Sequence, residues 1–87
     1  MVRIDLNLEE RVARDDKQAS TYWKVKGCYV RMADDTIRPV GSNDQYASKD
    51  DAKKEMEKRV LKLLKENGRT ETAGDLKWNV RTSNNKT

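Results

Sequence analysis

The sequence predicts an α+β domain: a small three- to four-stranded sheet, antiparallel or mixed, with one amphipathic helix packed on one face in the order β-β-β-α-β. Two observations carry most of that expectation. Val2, Ile4, Leu6 and Leu8 alternate with Arg3, Asp5, Asn7 and Glu9, the period-two pattern of a strand with one buried face. Ala52, Met56, Val60, Leu63 and Leu64 recur at steps of three and four and so share one face of a helix. A third run, Leu76, Trp78 and Val80 alternating with Lys77, Asn79 and Arg81, places a strand after that helix.

Taken in order, the first strand begins at Val2. Near its end Asn7 and Glu10 have capping-box spacing and Leu8 and Val12 lie four apart, so a helical turn over residues 8–14 competes with a longer strand. Ala13 to Ser20 is polar and reads as an exposed connection. Residues 21–32, rich in β-branched and aromatic side chains, predict the longest strand. Trp23 and Val25 have one parity there and Cys28, Val30 and Met32 the other, so Gly27 marks a bulge that keeps both groups on one side. Asp34 and Asp35 form a turn, and Ile37 to Val40 is a short strand that Pro39 confines to an edge.

Gly41 to Asp44 links this strand to the helix of residues 48–66. Ser48 caps its first turn, Asp51 holds the capping-box position, and Asn67 with Gly68 stops it. Residues 1–81 thus read as a single α+β domain and 82–87 as a polar, flexible tail. With no Phe in the chain, the aromatic load of the core falls on Trp23 and Trp78.

At 87 residues the chain has room for one small core. Net charge is +4, left over from 19 basic and 15 acidic residues. That balance permits contact with nucleic acid or an acidic protein surface without the dense basic patch that would single out either. Cys28 stands alone, so no intramolecular disulfide supports the fold, and a reducing setting fits. With no apolar run long enough to span a bilayer and no basic-then-apolar leader, the chain is expected to be cytoplasmic and without membrane contact.

Catalytic equipment is sparse. The chain has no histidine, hence neither the usual general base near neutral pH nor the commonest zinc ligand. Adjacent carboxylates at Asp15 and Asp16, Asp34 and Asp35, and Asp50 and Asp51 diverge; turns account for the first two pairs and the helix dipole for the third. No glycine-rich phosphate loop is present. The expectation is a noncatalytic binding module with no catalytic residue, no metal and no cofactor.

If the apolar parity of each strand faces the helix, the other sheet face presents Arg3, Lys77, Asn79 and Arg81, joined by Lys24 and Lys26 near Tyr22. Cations with an aromatic among them suit nucleic-acid phosphates and bases, although outward strand positions are also commonly charged to keep sheets soluble. A second basic stripe, including Lys54, Lys58 and Lys62, lies on the polar side of the helix, interrupted by Glu55, Glu57 and Glu66. The candidate nucleic-acid-binding residues are therefore Lys24, Lys26, Lys77, Arg81, Arg3, Tyr22, Lys54, Lys58 and Lys62. The alternative is a small protein-binding inhibitor or adaptor, of the kind phages use against host defences or host enzymes, acting through an edge strand or a surface patch. Nucleic acid and protein both remain open as partners, and the sequence does not set the oligomeric state.

The run Tyr46-Ala47-Ser48-Lys49-Asp50-Asp51-Ala52 is similar to the strand-to-helix junction of the arm-binding domains of tyrosine recombinases, small three-stranded domains whose sheet lies against DNA. The resemblance is confined to that junction, and a strand around Trp78 falls outside the pattern.

Overall fold

The computed structural model describes residues 2–15 and 18–84. A five-stranded mixed sheet carries one helix across one face, the α+β class that the periodicities predict. Its strands are β1 (Val2–Asp15), β2 (Gln18–Arg31), β3 (Ile37–Pro39), β4 (Gln45–Tyr46) and β5 (Leu76–Asn84). The helix α1 spans Lys49–Glu66, and a short 3-10 turn at Ala73–Asp75 precedes β5. The order across the sheet is β3-β2-β1-β5, with β4 also pairing β2. β1 and β2 are antiparallel, whereas β5 lies parallel to β1 on its far side. A parallel neighbour needs a long crossover, and α1 supplies it. The likeness to a three-stranded domain therefore ends at the strand-to-helix junction.

The core forms where the two periodicities meet. Val2, Ile4, Leu6 and Leu8 of β1 and Cys28, Val30 and Met32 of β2 are buried beneath Ala52, Met56, Val60 and Leu64 of α1. Those four helix residues follow one another at steps of four; Leu63, the fifth member of the expected stripe, is only half-buried. Trp23 and Trp78 pack against this cluster without entering it. The core is aliphatic and both indoles sit on its rim, where Lys49 Nζ lies 5.4 Å from the Trp23 ring centroid and Lys53 Nζ 5.5 Å from that of Trp78. An indole is too wide to be covered completely by one helix, so it packs one face inward and leaves the other to a cation.

The helix ends follow the cap residues. Ser48 Oγ accepts the Asp51 N–H at 3.1 Å, Asp50 and Asp51 face the positive end of the dipole, and Gly68 takes φ +74°. The Gly68 N–H donates to the Lys65 carbonyl and the Arg69 N–H to the Leu64 carbonyl, a Schellman closure. Arg59 ties the preceding link to the helix by donating to the Gly41 carbonyl at 2.7 Å and to Asp44 Oδ2 at 3.3 Å.

Gly27 does mark the bulge. Asn7 pairs with Gly27 but Leu8 pairs with Val25, leaving Lys26 extra, so Trp23 and Val25 return to the face that Cys28 and Val30 share. Pro39 lies in β3 at the sheet edge, as a residue without an N–H must.

Two expectations need correction, and the alternative left open at residues 8–14 resolves toward the longer strand. Residues 8–14 contain no helical turn, and the stretch from Ala13 to Ser20 is not an open connection: β1 continues to Asp15, β2 starts at Gln18, and the two pair throughout. Beyond Glu10 and Trp23 neither strand has another neighbour among the described residues, so Arg11–Asp15 and Gln18–Tyr22 form a two-stranded arm. The polar tail expected from Thr82 does not start there, because β5 runs to Asn84; residues 85–87 lie outside the described residues. Strand β4, too short for any periodicity, has no counterpart in the sequence reading. The arm lengthens the molecule to 49 × 18 × 18 Å. Its radius of gyration is 14.5 Å, against about 12 Å for a compact domain of this length.

Candidate nucleic-acid interface

The helix covers one side of the sheet and leaves the other bare, and register alone determines what the bare side presents. Reading across β5, β1 and β2, one row is Lys77, Arg3 and Arg31; the next is Asn79, Asp5 and Tyr29; the third is Arg81, Asn7 and Gly27. Further toward the arm come Ser83, Glu9 and Lys24, then Arg11 opposite Tyr22. With Lys26 at the bulge, the face holds seven basic residues and two acidic ones, Asp5 and Glu9. The rest of the molecule is close to balanced, so this face accounts for the positive charge of the chain.

The first row is the most concentrated. Lys77, Arg3 and Arg31 are direct cross-strand neighbours and all exposed, and among the described residues none has a carboxylate within 4.0 Å. Directly opposed like charges repel across a sheet, so the row is electrostatically unfavourable until an anion occupies it. Together with Asp5, Trp78 and Asn79 they line an open concavity of about 410 Å³. Asp5, in the adjoining row, accepts a hydrogen bond from Asn79 Nδ2 at 3.1 Å.

The basic residues nearer the arm are partly neutralised. Arg11 bonds Glu9 and holds its carboxyl below the usual carboxylate range, with Lys26 and Lys24 adding to the effect. Lys26 Nζ is 4.0 Å from the same carboxylate. Lys24, Lys26 and Tyr22 thus lie on the expected face, yet around Glu9 rather than beside Arg3 and Lys77. Arg81 lies between the two groups, in the row of Gly27. Lys54, Lys58 and Lys62 are exposed on the outer surface of α1, on the opposite side of an 18 Å thick molecule, and are not brought together with the sheet cations.

Arg31, Tyr29 and Arg11 are the residues of this face that sequence reasoning left out of the site. The signal was present: once Cys28, Val30 and Met32 are assigned inward, Tyr29 and Arg31 must point outward. Tyr29 is 46 % exposed.

Among the described residues no group of three or more His, Cys, Asp or Glu is placed to hold a metal ion. Cys28 is buried, and that burial, with the Asp5 charge nearby, pushes its thiol up to about 11, so it is protonated and inert near neutral pH. Among the described residues no helix is long and apolar enough to cross a membrane. No family model, curated protein or solved structure matches the chain.

Proposed function

We propose that the protein is a noncatalytic module that holds nucleic-acid phosphates on its bare sheet face. The observation that carries this reading is the row of Lys77, Arg3 and Arg31, three adjacent cations without a carboxylate partner among the described residues, on a face with seven basic and two acidic residues. A structural explanation accounts for one exposed cation on a strand but not for three placed in direct mutual repulsion. Arg81 extends the same charge along β5.

The test is binding as a function of salt. Contact with four phosphates of a duplex or five of a single strand gives a slope of log affinity against log salt of about −3.5. Arg3→Ala and Lys77→Ala each reduce that slope, whereas Lys54→Ala and Lys58→Ala leave it unchanged. Absence of binding to duplex DNA, single-stranded DNA and RNA at low salt would defeat the reading.

A second reading follows from β5, which among the described residues pairs only with β1, on one of its two edges, from Leu76 to Asn84. A partner protein could add a strand at the other edge, as an inhibitor or adaptor does. A partner retained after nuclease treatment, and lost on Val80→Pro, favours this alternative.

A further inference from the structure

The proposed interface has an aromatic at its centre whose position depends on a missing side chain. A Cβ at Gly27 would lie 3.1 Å from Tyr29 Cε2 and 3.4 Å from its hydroxyl oxygen. The Tyr29 ring therefore leans along β2 over the bare backbone of Gly27, while 46 % of the residue stays exposed. A soluble sheet could place any polar residue here. Instead it lays a ring on its surface and clears the space beneath it.

Charge is arranged around that ring in a sequence. The row on one side holds Lys77, Arg3 and Arg31; the row on the other holds Arg81, with Lys26 at the adjoining bulge. These cationic rows are four strand residues apart, about 13 Å. The row between them contains Tyr29 and the carboxylate of Asp5, which repels a phosphate. Consecutive phosphates of an unpaired strand lie closer together than these rows, so the rows suit two phosphates that are not neighbours, with an unstacked base between them to meet the ring.

Building on the phosphate-binding reading, we infer that the face takes single-stranded nucleic acid, with one base stacked on Tyr29 and two non-neighbouring phosphates of the same strand on the rows of Arg3 and Arg81. A duplex keeps its bases stacked inside and has no free face to offer the ring.

The experiment is a titration of the protein with a fluorescently labelled oligothymidylate of about 12 nucleotides and with a hairpin duplex of similar charge. The single strand is expected to bind more tightly. Tyr29→Ala is expected to weaken it by about 5- to 100-fold without changing the salt slope, while Tyr29→Phe, which keeps the ring, retains affinity. A circular-dichroism melt of each variant establishes folding, and a half-exposed position tolerates both changes. If Tyr29→Ala binds like the parent while Arg3→Ala is weakened, the base platform is wrong and the phosphate reading stands. If the duplex binds as tightly as the single strand, the inference is likewise overturned. If no nucleic acid binds at low salt, both fall together.

Discussion

At the residue scale, burial ranks the helix positions that hydrophobic spacing treats as equal. Met56 is fully buried in the core, whereas Leu63 is half-buried at its margin. An uncompensated carboxylate at the first position has no solvent to reach. Met56→Asp is expected to abolish the cooperative thermal transition, and Leu63→Asp to lower its midpoint while leaving a folded state, as circular dichroism will record. Cys28 provides a second measurement. Its folded-state value of about 11 exceeds the ordinary 9.0, so the unfolded chain loses its proton first. The contribution is fully present below pH 9 and is lost as pH rises toward 11. Urea midpoints are expected to fall less steeply across that interval in Cys28→Ala than in the parent. Arg3 has two opposing effects: Arg3→Gln relieves its repulsion with Lys77 and Arg31 and is expected to raise stability at low salt by about 0.2 to 1 kcal/mol, while weakening nucleic-acid binding.

At the element scale, the helix was fully legible and the arm was not, for one physical reason. Ser48, Asn67 and Gly68 satisfy orphan backbone groups through local chemistry, and Met56 and Val60 report a buried face by their spacing; both signals lie within a few residues of each other. Among the described side chains of the arm none is buried. Val12 is 48 % exposed there, so no alternation betrays Arg11–Asp15 as a strand, and the segment is held by its ladder to Gln18–Tyr22. Strand β4 escaped notice similarly, since two residues have no period. The basic face was half legible: parity puts Arg3, Lys77, Arg81 and also Arg31 outward, but only the register shows that Arg31 stands beside Arg3. A two-stranded ribbon without a third strand is marginal in water. Amide hydrogen exchange is therefore expected to be fast at Val12 and Thr21 and slow at Leu6 and Val30, with intermediate protection in α1. Ser48→Ala, which removes the acceptor for the Asp51 N–H, is expected to cost about 1 kcal/mol in denaturant unfolding.

For the whole molecule, the two sides of the sheet are assigned to different tasks. The helix side holds every buried hydrophobic residue of the strands, so the bare side carries little of the stability and can be altered freely. Substitutions at Lys77, Arg81 and Tyr29 should consequently change binding with small effects on melting, the separation that makes the binding experiments interpretable. Elongation adds to this arrangement: small-angle scattering is expected to give a radius above that of a compact sphere of equal mass, and deletion of the arm tip to reduce it.

The position of Cys28 gives the chain an internal clock. Its sulfur lies in β2 under the helix, among the buried residues of the core, and no second thiol competes with it. An alkylating reagent can reach it only when α1 lifts from the sheet or the whole chain opens. The labelling rate of the unmodified protein thus measures how often that event occurs, and adding a ligand for the opposite face shows whether occupancy there slows it.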